Sequence, residues 1–203
     1  MELILLRHGE STGVEQGILQ GRRDYPLTAA GKKEIEQLAV RWKAQGRTFA
    51  RIISSPLARA QESAAIIGAH LGCEVLPDPL WMERDFGQGE GVDLEIVHAW
   101  YTQRPKPDAF EPRYESGESE WQIHIRAAQA LDAVMAEPLA DTLVVSHGNV
   151  ISAALHVLFG LMPYGRALPV EFGLEPACYA DLHYAVERGR WRLVSFNDRG
   201  HFV

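Results

Sequence analysis

The sequence has little cysteine, fewer basic than acidic residues and no long hydrophobic run. Its two cysteines, Cys73 and Cys178, form no C-x-x-C pair and lie beside no histidine at metal-ligand spacing. We therefore expect reduced thiols rather than a disulfide framework or a metal centre. The apolar stretch before Arg7 is too short for a signal peptide and has its basic residue on the wrong side, so a cytoplasmic location is predicted.

The deficit of positive charge disfavours two classes of partner. The formal net charge is −7, which is unfavourable for general binding to nucleic acids and to anionic membranes. A phosphate-binding protein with such a charge must concentrate its arginines locally. The 203 residues, 46% of them hydrophobic, suit a single domain over 1–203 with a substantial core. The oligomeric state stays open, with a homodimer as one alternative.

Short apolar runs typical of buried strands alternate with amphipathic helical segments. Strands are predicted at 3–6, 51–53, 74–76 and 142–145. Helices are predicted from the cap Thr28 to Gly46, from Ser55 to about His70, and over 93–103, 119–135 and 149–159. Two last strands, 177–186 and 190–196, flank a turn at 187–189 and predict a hairpin. The alternation predicts an α/β fold, a three-layer αβα sandwich with a mostly parallel central sheet and the hairpin at one edge.

Two details of the helices can be predicted from single residues. Ser55 and Pro56 are expected to be the cap and the first residue of their helix, because proline suits the first helical position. In the helix over 119–135, Trp121, Ile125, Ala128 and Leu131–Ala133 are predicted to share one apolar face.

Two segments lack a regular pattern. Residues 11–25 are polar and punctuated by glycine, which indicates a long loop of the kind that is usually functional. Residues 81–118 are rich in glycine and proline around one helix. This second segment is either an insertion that covers the catalytic edge of the sheet or a plain surface excursion.

Two predicted strands end in a histidine followed by glycine. Leu-Leu-Arg-His-Gly closes the first strand, and Val-Val-Ser-His-Gly closes the strand at 142–145. If these strands are neighbours in a parallel sheet, His8 and His147 face each other at the carboxyl edge, where ligands bind in open α/β sheets. Gly9 and Gly148 would let a ligand approach the backbone, and the helix that begins after His147 favours an anion.

Three charged side chains are predicted near the same edge. Arg7 and Arg59 carry planar guanidinium groups that can grip phosphoryl oxygens in pairs. Glu83 follows the third strand, and apolar neighbours such as Trp81 and Phe86 would keep its carboxyl protonated, ready to donate to a leaving oxygen. Each residue alone has an ordinary structural explanation. Their recurrence at successive βα units predicts phosphoryl transfer, with the first histidine as nucleophile and the arginines neutralising the phosphoryl oxygens.

These residues lie in a series of spaced motifs. The motifs are Arg7-His8-Gly9-Glu10-Ser11, Leu19-Gln20-Gly21, Asp24-x-Pro26-Leu27-Thr28-x-x-Gly31, Ser54-Ser55-Pro56-Leu57-x-Arg59-Ala60-x-Glu62, Glu83-x-x-Phe86-Gly87-x-x-Glu90-Gly91, Gly117-Glu118-Ser119 and Val145-Ser146-His147-Gly148. Together they resemble the histidine phosphatase superfamily, in the branch that contains cofactor-dependent phosphoglycerate mutases and their phosphatase relatives. The resemblance covers nearly the whole chain.

The resemblance implies a phosphohistidine on His8 and a proton donor at Glu83. It implies that the phosphate pocket and the substrate contacts are completed by Arg7, Ser11, Gln20, Gly21, Arg59, His147 and Gly148. It also implies no metal and no nucleotide cofactor. For His8 to attack, one ring nitrogen must be unprotonated while the other is held by a hydrogen bond, for which we expect a backbone partner.

Two positions depart from the family pattern and bear on the substrate. Val14 stands where the family often has an asparagine, and its side chain cannot form a hydrogen bond. Gly89 stands where the family often has a tryptophan, which predicts a looser wall on the substrate side. Arg22 and Arg23 are either contacts for a distal anion of the substrate or ordinary solvated charges.

The phosphoryl acceptor separates the remaining functions. A phosphatase transfers the group to water, whereas a mutase needs extra basic residues and a longer cover. Between 101 and 118, Arg104, Lys106 and Arg113 are diluted by acidic residues. The sequence therefore favours a phosphatase for a small phosphorylated metabolite, such as an α-ribazole phosphate, a sugar phosphate or a phosphoglycerate. A phosphoglycerate mutase and a non-catalytic phosphate-binding protein are the alternatives.

Overall fold

The structure, a computed structural model, describes residues 1–103, 108–136, 138–163 and 170–202. The strands within these residues are β1 (Glu2–Arg7), β2 (Arg51–Ser54), β3 (Val75–Pro77), β4 (Thr142–Ser146), β5 (Tyr179–Ala185) and β6 (Arg190–Asp198). The α-helices are α1 (Thr12–Glu15), α2 (Ala29–Ala44), α3 (Ala58–Leu71), α4 (Leu94–Gln103), α5 (Glu120–Met135) and α6 (Gly148–Leu158). None of the described helices is both long and apolar enough to cross a membrane.

The strands form one sheet in the order β3-β2-β4-β1-β5-β6. Strands β3, β2, β4 and β1 are parallel, and the hairpin of β5 and β6 adds two antiparallel strands at the edge. The predicted α/β fold and the mostly parallel sheet are confirmed. Because β1 pairs with β4 and Arg7 lies opposite Ser146, the two histidines that follow leave the same edge of the sheet.

Helices cover both faces of the sheet, because its central strands alternate their apolar side chains between two cores. In β1, Leu3 and Leu5 pack into a cluster with residues of α5 and α6. Ile4 and Leu6 point the other way and pack with residues of α2 and α3. Successive side chains of a strand point to opposite faces, so one apolar run supplies both cores of the three layers.

The predicted start of α3 is wrong by two residues. The N-cap is Leu57, and helical structure begins at Ala58. The Ser55 amide still donates to the Val145 carbonyl at 3.0 Å, so the chain is paired with β4 at the point where the sequence predicted a helix cap. The Ser55 hydroxyl accepts the Leu57 amide at 3.3 Å. Ser55 is therefore held at the carboxyl edge of the sheet.

The predicted apolar face of α5 is correct only in part. The buried residues of this helix are Ile123, His124, Ala127, Ala130, Leu131 and Val134, so Leu131 is the member of the predicted set that enters the core. Ile125 is 51% exposed, and Trp121 stacks on Phe110 with ring centroids 5.5 Å apart instead of entering the core. Trp121 has the helical spacing of a core residue, but it packs against Phe110 of the preceding segment. The helix starts as predicted, with Ser119 and Gln122 forming a capping box.

The two irregular segments contact each other. The predicted loop 11–25 contains the single turn of α1, which Ser11 caps. Leu19 then exchanges backbone hydrogen bonds with the 81–118 segment, from its amide to the Val92 carbonyl and from the Gly91 amide to its own carbonyl. Phe86, Val97 and Tyr114 form a small apolar cluster against Leu19. The longer segment is thus anchored on the loop that follows the first histidine.

Candidate active site

The two histidines lie together at the carboxyl edge of the sheet, directly after β1 and β4. The ring centroids of His8 and His147 are 5.1 Å apart, with their planes tilted by 60°. His8 is 2% exposed and His147 is fully buried. Burial lowers the pKa of both imidazoles well below the ordinary value, and the positive charge of Arg59 lowers it further. Both rings are therefore neutral near pH 7.

The backbone selects one tautomer of His8. Its Nδ1 lies 2.7 Å from the carbonyl oxygen of Gly9, which can only accept a hydrogen bond. Nδ1 must therefore carry the proton, and Nε2 keeps its lone pair. Nε2 accepts a hydrogen bond from Arg59 Nε at 3.2 Å. The expected backbone partner of the imidazole is thus the carbonyl of the next residue.

Arg59 is held so that its guanidinium faces His8. It lies in the first turn of α3 and is 1% exposed. Nη2 donates to the Gly21 carbonyl at 2.7 Å, and Nη1 donates to the Arg23 carbonyl at 2.9 Å. These carbonyls belong to the loop that follows α1. The loop therefore fixes the orientation of the guanidinium.

Arg7 presents a donor with no partner among the described residues. Its Nη1 donates to the Leu174 carbonyl at 2.6 Å, whereas the buried Nε has no hydrogen-bond partner there. Burial lowers the pKa of the guanidinium. The group stays charged nevertheless, because the ordinary pKa of arginine is very high. A buried charged donor without a partner is costly, and an anion would satisfy it.

His147 is oriented by a hydroxyl of the neighbouring strand end. Its Nε2 lies 2.7 Å from Ser55 Oγ, and its buried Nδ1 has no partner within the described residues. His147 is also the N-cap of α6, where unpaired amides favour an anion. Two unsatisfied ring or guanidinium nitrogens, on Arg7 and His147, thus lie at the same edge of the sheet.

Glu83 lies beside the start of α6, and its surroundings differ from those that the sequence predicted. The residue is 8% exposed. Oε1 accepts the Arg84 amide at 2.8 Å and the Val150 amide at 3.3 Å. Oε2 accepts the amide and the side-chain nitrogen of Asn149 at 3.4 and 3.3 Å. The expected apolar environment is therefore wrong: N–H donors of a helix N-terminus surround this carboxylate.

The apolar residues expected around Glu83 turn away from it. Trp81 packs into the core beneath α5, and Phe86 packs with Tyr114 and Val97 in the small cluster. Adjacent residues predicted the surroundings of this carboxyl wrongly, because residues 83–86 form neither a helix nor a strand and their side chains follow no regular pattern.

The two glycines that follow the histidines have different roles. A Cβ atom on Gly9 would lie 2.6 Å from the Gly31 carbonyl oxygen, so this position is needed for the close approach of α2. A Cβ atom on Gly148 would lie 3.7 Å from Arg7 Nη1, in ordinary contact. Gly148 therefore borders Arg7 of the candidate site. The sequence predicted ligand access at Gly9, but in the structure the glycine is required by its packing against α2.

The other residues implied by the resemblance form a linked loop beside the site. The Ser11 hydroxyl donates to Gln20 Oε1 at 2.8 Å and accepts the Val14 amide at 3.4 Å. Gly21 has a φ of +53°, and its carbonyl accepts from Arg59. Ser11, Gln20 and Gly21 thus support the loop that orients the guanidinium. The substrate contacts that the resemblance implies for these three residues stay a prediction.

The wall near Gly89 is filled rather than loose. A Cβ atom there would lie 2.9 Å from Cδ2 of Tyr114 and 3.1 Å from Cδ2 of Leu19. The Tyr114 ring, only 8% exposed, thus takes up the space that a side chain at this position would need. The predicted loosening is wrong, because a ring from further along the chain replaces the missing one.

The two loop arginines differ in their surroundings. Arg22 pairs with Glu118 at 3.0 Å and Asp85 at 3.9 Å, and its Nε donates to the Glu83 carbonyl at 3.3 Å. Arg23 is exposed and lies against Gly91. Arg104 and Lys106 lie outside the described residues.

Asn149 is a residue of the site that sequence reasoning did not single out. It follows the His-Gly pair at the first turn of α6, and that helix start was recognised as an anion site, so its position carried the necessary signal. The carbonyls of Gly9 and Leu174 carried no such signal, because any residue type supplies a backbone oxygen.

Three metal-ligating side chains meet far from this edge, although sequence spacing predicted no metal cluster. Ligand atoms of Glu2, Asp181 and His183 lie within 4.8 Å of one another at the amino end of β1. Arg47 Nη2 pairs with both carboxylates there, at 3.0 and 2.8 Å. The guanidinium offsets part of the acidic charge, and its contacts with both carboxylates are those of an ion-pair network.

The buried neutral histidines make stability depend on pH. An unfolded chain protonates His8 and His147 near pH 6.5, whereas the folded chain does so only at much lower pH. The free energy of unfolding is therefore expected to fall as pH drops below about 6.5.

Urea unfolding between pH 7 and 5 measures this dependence of the unfolding free energy on pH. His8→Asn and His147→Asn should each reduce it, and His98→Asn, at an exposed position of α4, should leave it unchanged; equal slopes in all variants would contradict the assignment.

Comparison with known proteins gives matches over nearly the whole chain. The sequence profile of the histidine phosphatase superfamily (branch 1) matches residues 3–199. A protein of Cronobacter sakazakii named probable phosphoglycerate mutase GpmB is 34% identical over 173 residues, 82% of this chain and 78% of that protein. A Bacillus subtilis protein named uncharacterized phosphatase PhoE is 31% identical over 198 residues, 97% of this chain and 94% of that protein. The solved structure of phosphoserine phosphatase from Entamoeba histolytica, in complex with 3-phosphoglyceric acid, has a TM-score of 0.79 at 26% identity and covers 100% of this chain and 99% of its own.

Proposed function

The chain belongs to the histidine phosphatase superfamily, and from this and the site geometry we propose that it hydrolyses small phosphate monoesters through a phosphohistidine on His8. The observation that carries the proposal is the arrangement of the His8 ring. Nδ1 donates to a carbonyl, so the lone pair is on Nε2, where it accepts a hydrogen bond from Arg59 that a bound phosphoryl group would replace. A neutral imidazole aimed at a cationic donor suits attack on a phosphoryl group whose oxygens that donor binds.

The first step transfers the phosphoryl group to the enzyme. Its oxygens are bound by Arg59, by the unpartnered Nε of Arg7 and by Nδ1–H of His147, which carries the proton when Ser55 donates to Nε2. Nε2 of His8 forms a bond to phosphorus as the ester P–O bond breaks. The leaving oxygen takes its proton from Glu83.

The second step returns the phosphoryl group to water. Glu83, now a carboxylate, takes a proton from a water molecule that attacks phosphorus. The P–N bond breaks, inorganic phosphate leaves and His8 regains its lone pair.

The same site could pass the phosphoryl group to a second hydroxyl, and relatives named as phosphoglycerate mutases keep this alternative open. The described arginines of the 81–118 segment, Arg84 and Arg113, support hydrolysis instead. Both donate to the Glu120 carboxylate, so they are engaged within the protein and are not directed at a substrate carboxylate. A panel of phosphate monoesters, with phosphoglycerate mutase activity assayed in parallel, decides between the two. Phosphate release without mutase activity supports the proposal, and transfer without release overturns it.

Glu83→Gln is expected to slow hydrolysis according to the leaving group. An alkyl alcohol needs a proton as it departs, so its ester should lose about 100-fold or more in kcat, as general acids typically contribute 10²–10⁴-fold. The ester of 4-nitrophenol, whose anion leaves unaided, should lose far less in the formation of the phosphoenzyme. Rapid-quench kinetics on both substrates measure the two losses. Glu95→Gln, an exposed glutamate of α4, is the control, and equal losses on the two esters would rule out Glu83 as the acid.

A further inference from the structure

Arg126 of α5 connects the main chain that carries Glu83 to the carboxylate of Glu118. Its Nη1 donates to the Leu80 and Met82 carbonyls at 2.8 and 2.6 Å, and its Nη2 donates to the Glu83 carbonyl at 3.3 Å. Nε and Nη2 bind the two carboxylate oxygens of Glu118, both at 2.7 Å. One guanidinium group therefore binds three backbone carbonyls in the segment that carries the proposed proton donor.

Glu118 binds the part of the chain that follows Glu83. Its Oε2 accepts the Asp85 amide at 3.0 Å, and its own amide donates to the Asp85 carbonyl at 2.8 Å. Its backbone carbonyl accepts Arg84 Nε and Nη2 at 3.0 and 2.8 Å. The chain is thus held just before and just after Glu83. We refer to Arg126 and Glu118 as the clamp.

The Glu118 carboxylate of the clamp stays ionised at neutral pH. Burial alone would raise the pKa of the Glu118 carboxyl, but the hydrogen bond and the charge of Arg126 bring it below its ordinary value. The side chains of Arg126 and Glu118 are only 12% and 13% exposed, so solvent screens their attraction weakly. A bidentate guanidinium–carboxylate pair of this kind fixes geometry as well as adding energy.

We propose that the clamp positions Glu83 for proton transfer, an inference that rests on the proposed function. Arg126 donates to the backbone carbonyl of Glu83, whereas the carboxylate of Glu83 accepts from the amides of α6. Arg126 therefore acts through the main chain, as a positioning residue. A carboxyl that must reach a leaving oxygen within hydrogen-bond distance tolerates little displacement, since misplacement by about 1 Å can cost 10²-fold in rate.

The test uses Arg126→Met and Arg126→Lys in the full chain. Methionine keeps the unbranched apolar part of the side chain and removes every donor, and lysine keeps the charge but loses the planar guanidinium. With an alkyl phosphate, kcat should fall about 30- to 100-fold in Arg126→Met and less in Arg126→Lys. Phosphoenzyme formation from 4-nitrophenyl phosphate should change by less than about threefold, because that step needs little acid assistance. Glu118→Gln should show the same selectivity in a weaker form.

Two controls separate positioning from a loss of stability. Arg51→Met removes another half-buried guanidinium that donates to a backbone carbonyl, that of Val134 at 2.6 Å, at the opposite edge of the sheet. This variant should lower the melting temperature without changing the ratio of the two rates. In a Glu83→Gln background, Arg126→Met should add no further loss on the alkyl ester, since two changes in one functional unit are not additive.

The outcomes distinguish the clamp from the chemistry that it serves. Equal losses on both esters, or a further loss in the Glu83→Gln background, would overturn the positioning role. Absence of a phosphohistidine in the unmodified enzyme, or a Glu83→Gln variant without leaving-group selectivity, would instead overturn the proposed function. If Arg126→Met does not fold, the Arg126→Lys and Glu118→Gln variants give the same comparison.

Discussion

His8→Ala is expected to lower the rate of phosphate-ester hydrolysis by about 10⁴-fold or more, because it removes the proposed nucleophile and with it the covalent route. His147 lies beside it, but its Nε2 is already engaged with the Ser55 hydroxyl. A neighbouring imidazole in a different orientation cannot replace one whose lone pair is directed by the Gly9 carbonyl.

Phosphate release under saturating substrate measures this loss, and acid-quenched enzyme assayed for acid-labile phosphate measures the intermediate. Circular dichroism and thermal unfolding check that the variant folds. His183→Ala, an exposed histidine of β5, should keep full activity. Turnover by His8→Ala at a rate near that of the unmodified enzyme would remove His8 as the nucleophile.

Arg59→Ala is expected to reduce kcat/KM by about 10³-fold, because a single guanidinium directed at a transferring phosphoryl group contributes 10³–10⁵-fold in comparable enzymes. Arg59→Lys should retain part of the rate, since it keeps the charge but cannot donate to His8, Gly21 and Arg23 together. The loss should appear for alkyl and aryl esters alike, because phosphoryl oxygens are common to both.

The same substitution should also change the pH dependence. Burial lowers the pKa of His8 most, and the charge of Arg59 is the next cause. Neutral His8 therefore persists below pH 6.5 in the unmodified enzyme, and kcat/KM should stay high there. Removing the charge of Arg59 raises the pKa again, so the acid limb of the profile should move to higher pH. Arg41→Ala is the matched control, because that arginine pairs with Asp198 beside the terminal hairpin; an acid limb that does not move in Arg59→Ala would contradict the assignment.

Most of the fold was predictable because it depends on local patterns. The alternation of short apolar runs with helical segments indicated the layered α/β sheet, and the turn at 187–189 indicated the terminal hairpin. The errors lie where a contact from elsewhere in the chain outweighs the local pattern. Ser55 pairs with β4 instead of capping α3, and Phe110 covers Trp121, which turns that aromatic residue out of the core.

The candidate site divides in the same way. The types and order of its side chains, Arg7, His8, Arg59, Glu83 and His147, are properties of the sequence, and their spacing was enough to indicate the family. The atoms that set their chemistry were less accessible. The surroundings of Glu83 were predicted wrongly, since donors contributed by α6 replace the apolar neighbours expected from adjacent residues.

The sequence by itself therefore determined the alternating elements, the family and the residues able to bind and transfer a phosphoryl group. Only the tertiary structure decided that β4 lies between β1 and β2, which brings the two histidines within 5.1 Å of each other. It also decided which nitrogen of His8 is free and which main-chain segments Arg126 holds. The physical reason is that backbone carbonyls and amides, common to almost every residue, acquire a specific role only where distant parts of the chain place them.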